Sequence, residues 1–204
     1  MSIVLLRHGE TALNAARVLQ PADTPLGPRG LAQARAAAAC LGQRRLAAIV
    51  SSDLPRAWQT AVALADATGL PITAEPLLQE RNFGTLRGRP YDTLGFDPLL
   101  MDAAPPEGES MAAFCARVAR AFRGVVARRT GLDGDVVVVT HGLVIGVMLG
   151  QHATLAAGTA LPGRIGNASI SVLAARPPHR VTLLDDVRHL HGIVADDPES
   201  LSGG

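Results

Sequence analysis

The sequence predicts an α/β fold: a three-layer sandwich in which helices cover both faces of a mostly parallel central sheet. Three observations carry it. Short aliphatic runs without polar alternation, such as Ile3-Val4-Leu5-Leu6 and Val136-Val137-Val138-Val139, read as strands buried on both faces. Alanine-rich stretches of helical period separate such runs. The chain has 204 residues, 48% of them hydrophobic. A chain of this length can bury roughly 70% of its unfolded surface, enough for one substantial core. A single domain over residues 1–204 is the expectation.

The elements follow in order. The first strand is Ile3 to Leu6. A loop rich in Pro, Gly, Asp and Thr, from Gln20 to Gly30, leads to a helix from about Leu31 to Leu41, and Leu46 to Ser51 is the next strand. Ser52 or Asp53 is placed to cap a helix running to about Thr68, with Pro55 tolerated in a first turn whose N–H groups lack helical partners. Pro71 to Ala74 reads as a short strand. Residues 81–108 carry many Gly, Pro and Asp with broken periodicity, which assigns them to a loop or small cap over the site. From Glu109 to about Arg129, the residues Met111, Phe114, Val118, Phe122 and Val125 keep helical spacing. Asp135 to Thr140 is a strand followed by His141-Gly142 and an apolar helical stretch, Leu143 to Leu149. Ala168 to Ala174 and Arg180 to Leu184 read as two final strands, and residues 196–204 as a flexible tail.

Composition narrows the function classes. The formal net charge is +1 and aromatics make up 3%, which argues against a nucleic-acid partner, since neither a basic face nor a stacking platform is evident. All nineteen basic residues are arginine, so arginine abundance alone marks no site. Cys40 and Cys115 lie in helical apolar patterns and read as buried free thiols. The chain enters a strand at its start, and no apolar run is long enough to span a membrane. A cytoplasmic protein with no membrane partner is expected, and its oligomeric state is left open.

The chemistry gathers at strand ends. In open α/β sheets ligands sit beyond the carboxyl ends of parallel strands, and here two strands end in His-Gly: Arg7-His8-Gly9 and His141-Gly142. The glycines allow backbone to approach a ligand closely. Arg56 falls in the first turn of the helix after Ser51-Ser52-Asp53, where its guanidinium and the helix dipole act on the same anion. Two arginines and two histidines without clustered carboxylates describe an anion site rather than a metal site, and the implied ligand is a phosphoryl group. His8 is the candidate nucleophile, kept neutral by its arginine neighbours. Glu80 is the candidate proton donor, its pKa raised toward that task by the negative charge of a bound phosphate. His141, Arg7 and Arg56 are placed to stabilise equatorial oxygen charge. No cofactor and no metal are called for.

The motifs Leu6-Arg7-His8-Gly9-Glu10-Thr11 with Asn14, Ser51-Ser52-Asp53-Leu54-Pro55-Arg56-Ala57, Leu78-Gln79-Glu80-Arg81-Asn82-Phe83-Gly84 and Thr140-His141-Gly142 together resemble the histidine phosphatase superfamily, also called phosphoglycerate mutase-like. Pro105 to Arg117 and Gly166-Asn167-Ala168-Ser169 look similar to it as well. The resemblance implies a phosphohistidine intermediate on His8, a phosphate pocket of Arg7, Arg56, His141 and Gly142 assisted by Asn14, Glu80 as proton donor, and no metal. The family contains phosphatases and mutases. Mutases that use bisphosphoglycerate resemble one another in a longer segment after the glutamate, with a Trp-Arg-Arg run and a lysine. This chain has no lysine, and its one tryptophan is Trp58. The resemblance therefore implies a phosphatase acting on a small phosphorylated metabolite, with a phosphoglycerate mutase as the alternative and a non-catalytic phospholigand-binding module behind both.

Other polar residues read as structural. Arg81, Arg87 and Arg89 are expected on a solvated face, and His189 and His191, near Asp185 and Asp186, on polar surface. Arg44-Arg45 and Arg128-Arg129 suit helix ends, where positive charge meets the dipole. His152 and His179 have no partner that the sequence names. Irregular residues 81–108 conceal the substrate's identity.

Overall fold

A computed structural model describes residues 1–192; the expected tail at 196–204 lies outside them. Six strands form one sheet: β1 (Ser2–Arg7), β2 (Leu46–Ser51), β3 (Ile72–Ala74), β4 (Asp135–Thr140), β5 (Ile170–Ala174) and β6 (Val181–Asp186), in the order β3-β2-β4-β1-β5-β6. β3, β2, β4 and β1 pair in parallel, whereas β5 runs against both β1 and β6. The helices are α1 (Ala12–Ala15), α2 (Pro28–Leu41), α3 (Pro55–Thr68), α4 (Met111–Arg129) and α5 (Gly142–His152).

Alternation along β1 and β4 sets the layers. Ile3, Leu5, Val136 and Val138 pack against Phe114, Val118 and Phe122 of α4 and Ile145 and Met148 of α5. Val4, Leu6, Val137 and Val139 pack against Ala37 and Leu41 of α2 and Ala57, Ala61 and Leu64 of α3. Each strand is thus apolar on both sides, because a central parallel strand has no solvent face.

Register brings the strand ends level. Arg7 lies opposite Thr140 and Ser51 opposite Val139. The ladder continues one step further, with the His8 N–H donating to Thr140 O at 3.0 Å and the Ser52 N–H to Val139 O at 2.9 Å. Because β5 is reversed, its amino-terminal approach meets the same edge, where the Ala168 N–H donates to His8 O at 3.0 Å.

Several local expectations are corrected. The helix expected from Leu31 begins at Pro28, a residue suited to a first helical turn, with Gly27 before it. α1 was not anticipated; Thr11 and Asn14 form a reciprocal capping box around its four residues. Leu54, rather than Ser52 or Asp53, stands at the start of α3, and no side chain caps it. Asp53 instead accepts from Gln79 Nε2 at 2.7 Å. Cys40 is exposed and Cys115 half-buried rather than both buried, and both are free. Arg44 and Arg45 lie beyond the end of α2 and pair with Asp135 and Asp133. His152 and His179 do have a partner, one stacked on and one edge-on to the Phe122 ring, each 5.2 Å from it.

Residues 81–108 contain two 3-10 turns, Gly84–Leu86 and Tyr91–Thr93, and no strand or α-helix. Leu19, Phe83 and Leu86 form a small core of their own, against which Tyr91, Leu94, Leu99, Met101 and Leu143 pack.

Candidate active site

Arg7 ends β1, and its guanidinium donates to Ile165 O at 2.5 Å. His8 follows, with its ring 5.1 Å from that of His141, the planes tilted by 59°. Arg7, His8, Arg56, Glu80 and His141 are all at most 3% exposed. Placing two guanidinium groups and two imidazoles in one buried space is costly unless an anion joins them.

His8 Nδ1 lies 2.7 Å from Gly9 O. A carbonyl only accepts, so Nδ1 carries the proton and the lone pair is on Nε2. Burial lowers the His8 pKa well below the ordinary histidine range, Arg7 and Arg56 add to the effect, and the bond to Gly9 opposes it. Burial, rather than the arginine charges expected from the sequence, is the larger cause. The shift favours the neutral imidazole. Gly9 lets the backbone of α2 approach closely, since a Cβ there would lie 2.3 Å from Gly30 O.

His141 follows β4, and its Nε2 is 2.9 Å from Ser52 Oγ. Burial, Arg56 and His8 lower its pKa as well. Ser52 Oγ also accepts from the Leu54 N–H at 3.3 Å. When that hydroxyl donates to Nε2, the His141 ring proton is on Nδ1. That atom is buried and has no hydrogen-bond partner among the described residues, a donor suited to an anion.

Arg56 lies in the first turn of α3, with its guanidinium 3.4 Å from Pro21 O. Burial and the Arg7 and Arg87 charges lower its pKa to about 10, against the pull of Glu80, so it stays charged. Asn14 accepts from the Thr11 N–H at 3.1 Å and from Asn167 Nδ2 at 3.2 Å. It ties the loop after His8 to the turn before β5. Gly142 is the first residue of α5, behind His141.

Glu80 follows a 3-10 turn, Pro76–Leu78. Its Oε1 accepts from the Arg81 N–H at 3.0 Å and its Oε2 from the Leu143 N–H at 3.2 Å. Burial raises its pKa, and those two bonds with Arg56 and Arg7 pull the other way. Burial is the largest cause of this rise. Its backbone is held by Arg117, which donates to Leu77 O at 2.9 Å, Gln79 O at 2.7 Å and Glu80 O at 3.3 Å.

The structure brings His8, His141, Arg7, Arg56 and Glu80 together, with Asn14 and Gly142 beside them. Arg81 corrects an expectation: it is 1% exposed, donating to Glu109 O and Ala103 O at 3.2 Å each, so it anchors the 81–108 segment. Arg87 is half-buried and Arg89 exposed; His189 is half-buried and His191 exposed. Among the described residues no three His, Cys, Asp or Glu side chains are grouped to hold a metal ion. Ser52 and Arg117 were not singled out by residue reasoning. Ser52 looked like a helix cap, and only the position of Arg117 beside Phe114 and Val118 marks it as facing inward.

A model of the histidine phosphatase superfamily, branch 1, matches residues 3–184. The chain belongs to this superfamily. Among its relatives, the probable phosphoglycerate mutase GpmB of Yersinia pestis is 35% identical over 181 residues, covering 84% of this chain and 83% of that protein. A mycobacterial glucosyl-3-phosphoglycerate phosphatase superposes with a TM-score of 0.76 at 31% identity, over 91% of this chain and 99% of the other. The phosphoglycerate mutase of Thermus thermophilus gives 0.69 at 32% identity, over 90% and 97%. Family membership and these neighbours support an enzyme with phosphatase activity. No helix among the described residues is long and apolar enough to cross a membrane.

Proposed function

We propose that this chain is a cytoplasmic, metal-independent phosphatase that hydrolyses a small phosphorylated metabolite through a phosphohistidine on His8. The observation that carries this reading is the bare Nε2 of His8, set by the Nδ1 bond to Gly9 O, beside Arg7, Arg56 and His141. Nε2 attacks phosphorus in line, and the ester P–O bond breaks. The protonated Glu80 carboxyl gives its proton to the leaving oxygen, a role for which its raised pKa suits it. Arg7, Arg56 and the Nδ1 proton of His141 meet the equatorial oxygens. In the second half, the Glu80 carboxylate takes a proton from water as that water attacks phosphorus, and the P–N bond breaks to release phosphate and restore His8.

Hydrolysis is favoured over mutase action by the short, lysine-free chain after Glu80 and by likeness to a phosphatase. The mutase reading stays as the alternative because two mutase-named relatives, at 35% and 32% identity, are slightly nearer than the phosphatase at 31%. The test is a panel of phosphorylated glycerates, sugars and nucleotides without added metal, followed by phosphorus NMR. Inorganic phosphate accumulating ahead of any isomer, and lost in His8→Ala, is the expected result. Isomer interconversion in excess of phosphate release would overturn it in favour of a mutase.

A further inference from the structure

Tyr91 stands where the irregular segment meets the site. Its N–H donates to Arg17 O at 2.9 Å, and next to it the Leu19 N–H donates to Arg89 O at 3.0 Å, fastening this stretch to the loop after α1. The ring packs on the cluster of Leu19, Phe83 and Leu86 that also seats Leu143, the residue whose N–H holds Glu80. Backbone and ring are therefore fixed, and the hydroxyl's direction with them.

That hydroxyl is buried and has no hydrogen-bond partner among the described residues. Buried hydroxyls rarely go without one, and one that does calls for a partner from outside the chain, whether ligand, water or ion. The charges that act on it most are those of Glu80 and Arg7 from the site, then of Asp97 and Arg164. Burial and the Glu80 charge together keep the phenol protonated, so it is a neutral donor. The phosphoryl oxygens already have Arg7, Arg56 and His141. Glu80, the strongest charged neighbour of the Tyr91 hydroxyl, is on the side of the leaving oxygen in the proposed reaction.

Resting on the phosphatase reading, we propose that Tyr91 is a substrate-contacting, specificity-determining residue: its hydroxyl bonds a polar atom on the alcohol part of the substrate. The substrate class is then phosphomonoesters of alcohols that carry a hydroxyl or carboxylate close to the ester carbon, rather than plain aryl or alkyl phosphates. Tyr91→Phe keeps the ring and its packing while removing the donor. The measurement compares kcat/KM for glycerol 1-phosphate with that for phenyl phosphate, in the unaltered enzyme and in Tyr91→Phe. The ratio is expected to fall about tenfold in the variant, the size of one neutral hydrogen bond. The Tm of the free protein should not fall, because the hydroxyl lost has no partner to lose. An unchanged ratio with both esters still hydrolysed would overturn this inference alone. A lowered Tm with equal losses on both esters would also overturn it, showing a structural hydroxyl. No phosphate release from either ester by the unaltered protein would overturn the phosphatase reading and this inference together.

Discussion

Ser52→Ala tests how the second histidine is set. The Ser52 hydroxyl is buried, lies 2.9 Å from His141 Nε2 and accepts from the Leu54 N–H at 3.3 Å. Removing it leaves a buried ring nitrogen without its partner and frees the ring proton to move from Nδ1 to Nε2. The unmade bond costs about 1–3 kcal/mol, and in a chain of this size each kcal/mol is about 2–4 °C in Tm. Outright loss of one donor to a developing oxyanion costs about 10²–10³ in kcat. Here the donor is lost only in molecules whose proton has moved, so a fall of about 10- to 100-fold is expected. Steady-state hydrolysis of phenyl phosphate and a thermal melt on the same samples give both numbers. A lowered Tm with kcat within about twofold of the parent would refute the reasoning, because His141 would then keep its useful tautomer without Ser52.

Three further outcomes follow from the geometry. Glu80→Gln should slow alkyl phosphates by about 10²–10⁴ and 4-nitrophenyl phosphate far less, as its leaving group needs no proton; equal losses in a leaving-group series would argue against Glu80 as the acid. His8 and His141 are held below the unfolded histidine value of 6.5, so on acidification through that value the unfolded chain takes up protons that the folded chain refuses, and stability falls. Glu80, raised above 4.5, works the other way, its contribution declining as pH rises through that window. Urea melts should show a net loss on going from about pH 7.5 to about pH 5.5, smaller in His8→Asn; an identical loss there would contradict the assignment. Gly30→Ala would put a Cβ 1.9 Å from Glu10 O, a backbone clash, and should destabilise the fold by about 1–3 kcal/mol or more; parental stability in denaturant melts would show that α2 can move off the loop.

The sheet was legible because β1 and β4 are apolar on both faces, a pattern that loops and amphipathic helices do not share. The positions of His8 and His141 followed from where those runs stop. What the sequence did not show was chosen by contacts distant in the chain. Ser52 serves His141 instead of capping α3, 89 residues away. Arg81, read as solvated, is buried because Ala103 and Glu109 fold back to accept its protons. Arg117 reaches three carbonyls 37 to 40 residues before it, which helical periodicity alone cannot foretell. Tyr91 lies in a segment without period, where neither face nor direction can be assigned from spacing.

The central claim is covalent and atomic, that the Nε2 of His8 takes the phosphoryl group. The most direct test is to mix enzyme with labelled substrate, quench in alkaline denaturant and locate the phosphate by peptide mapping and phosphorus NMR. The account predicts phosphohistidine at His8, substituted on Nε2, and absent from His8→Ala. Label on Nδ1, label at another residue, or turnover without any phosphoenzyme would contradict it.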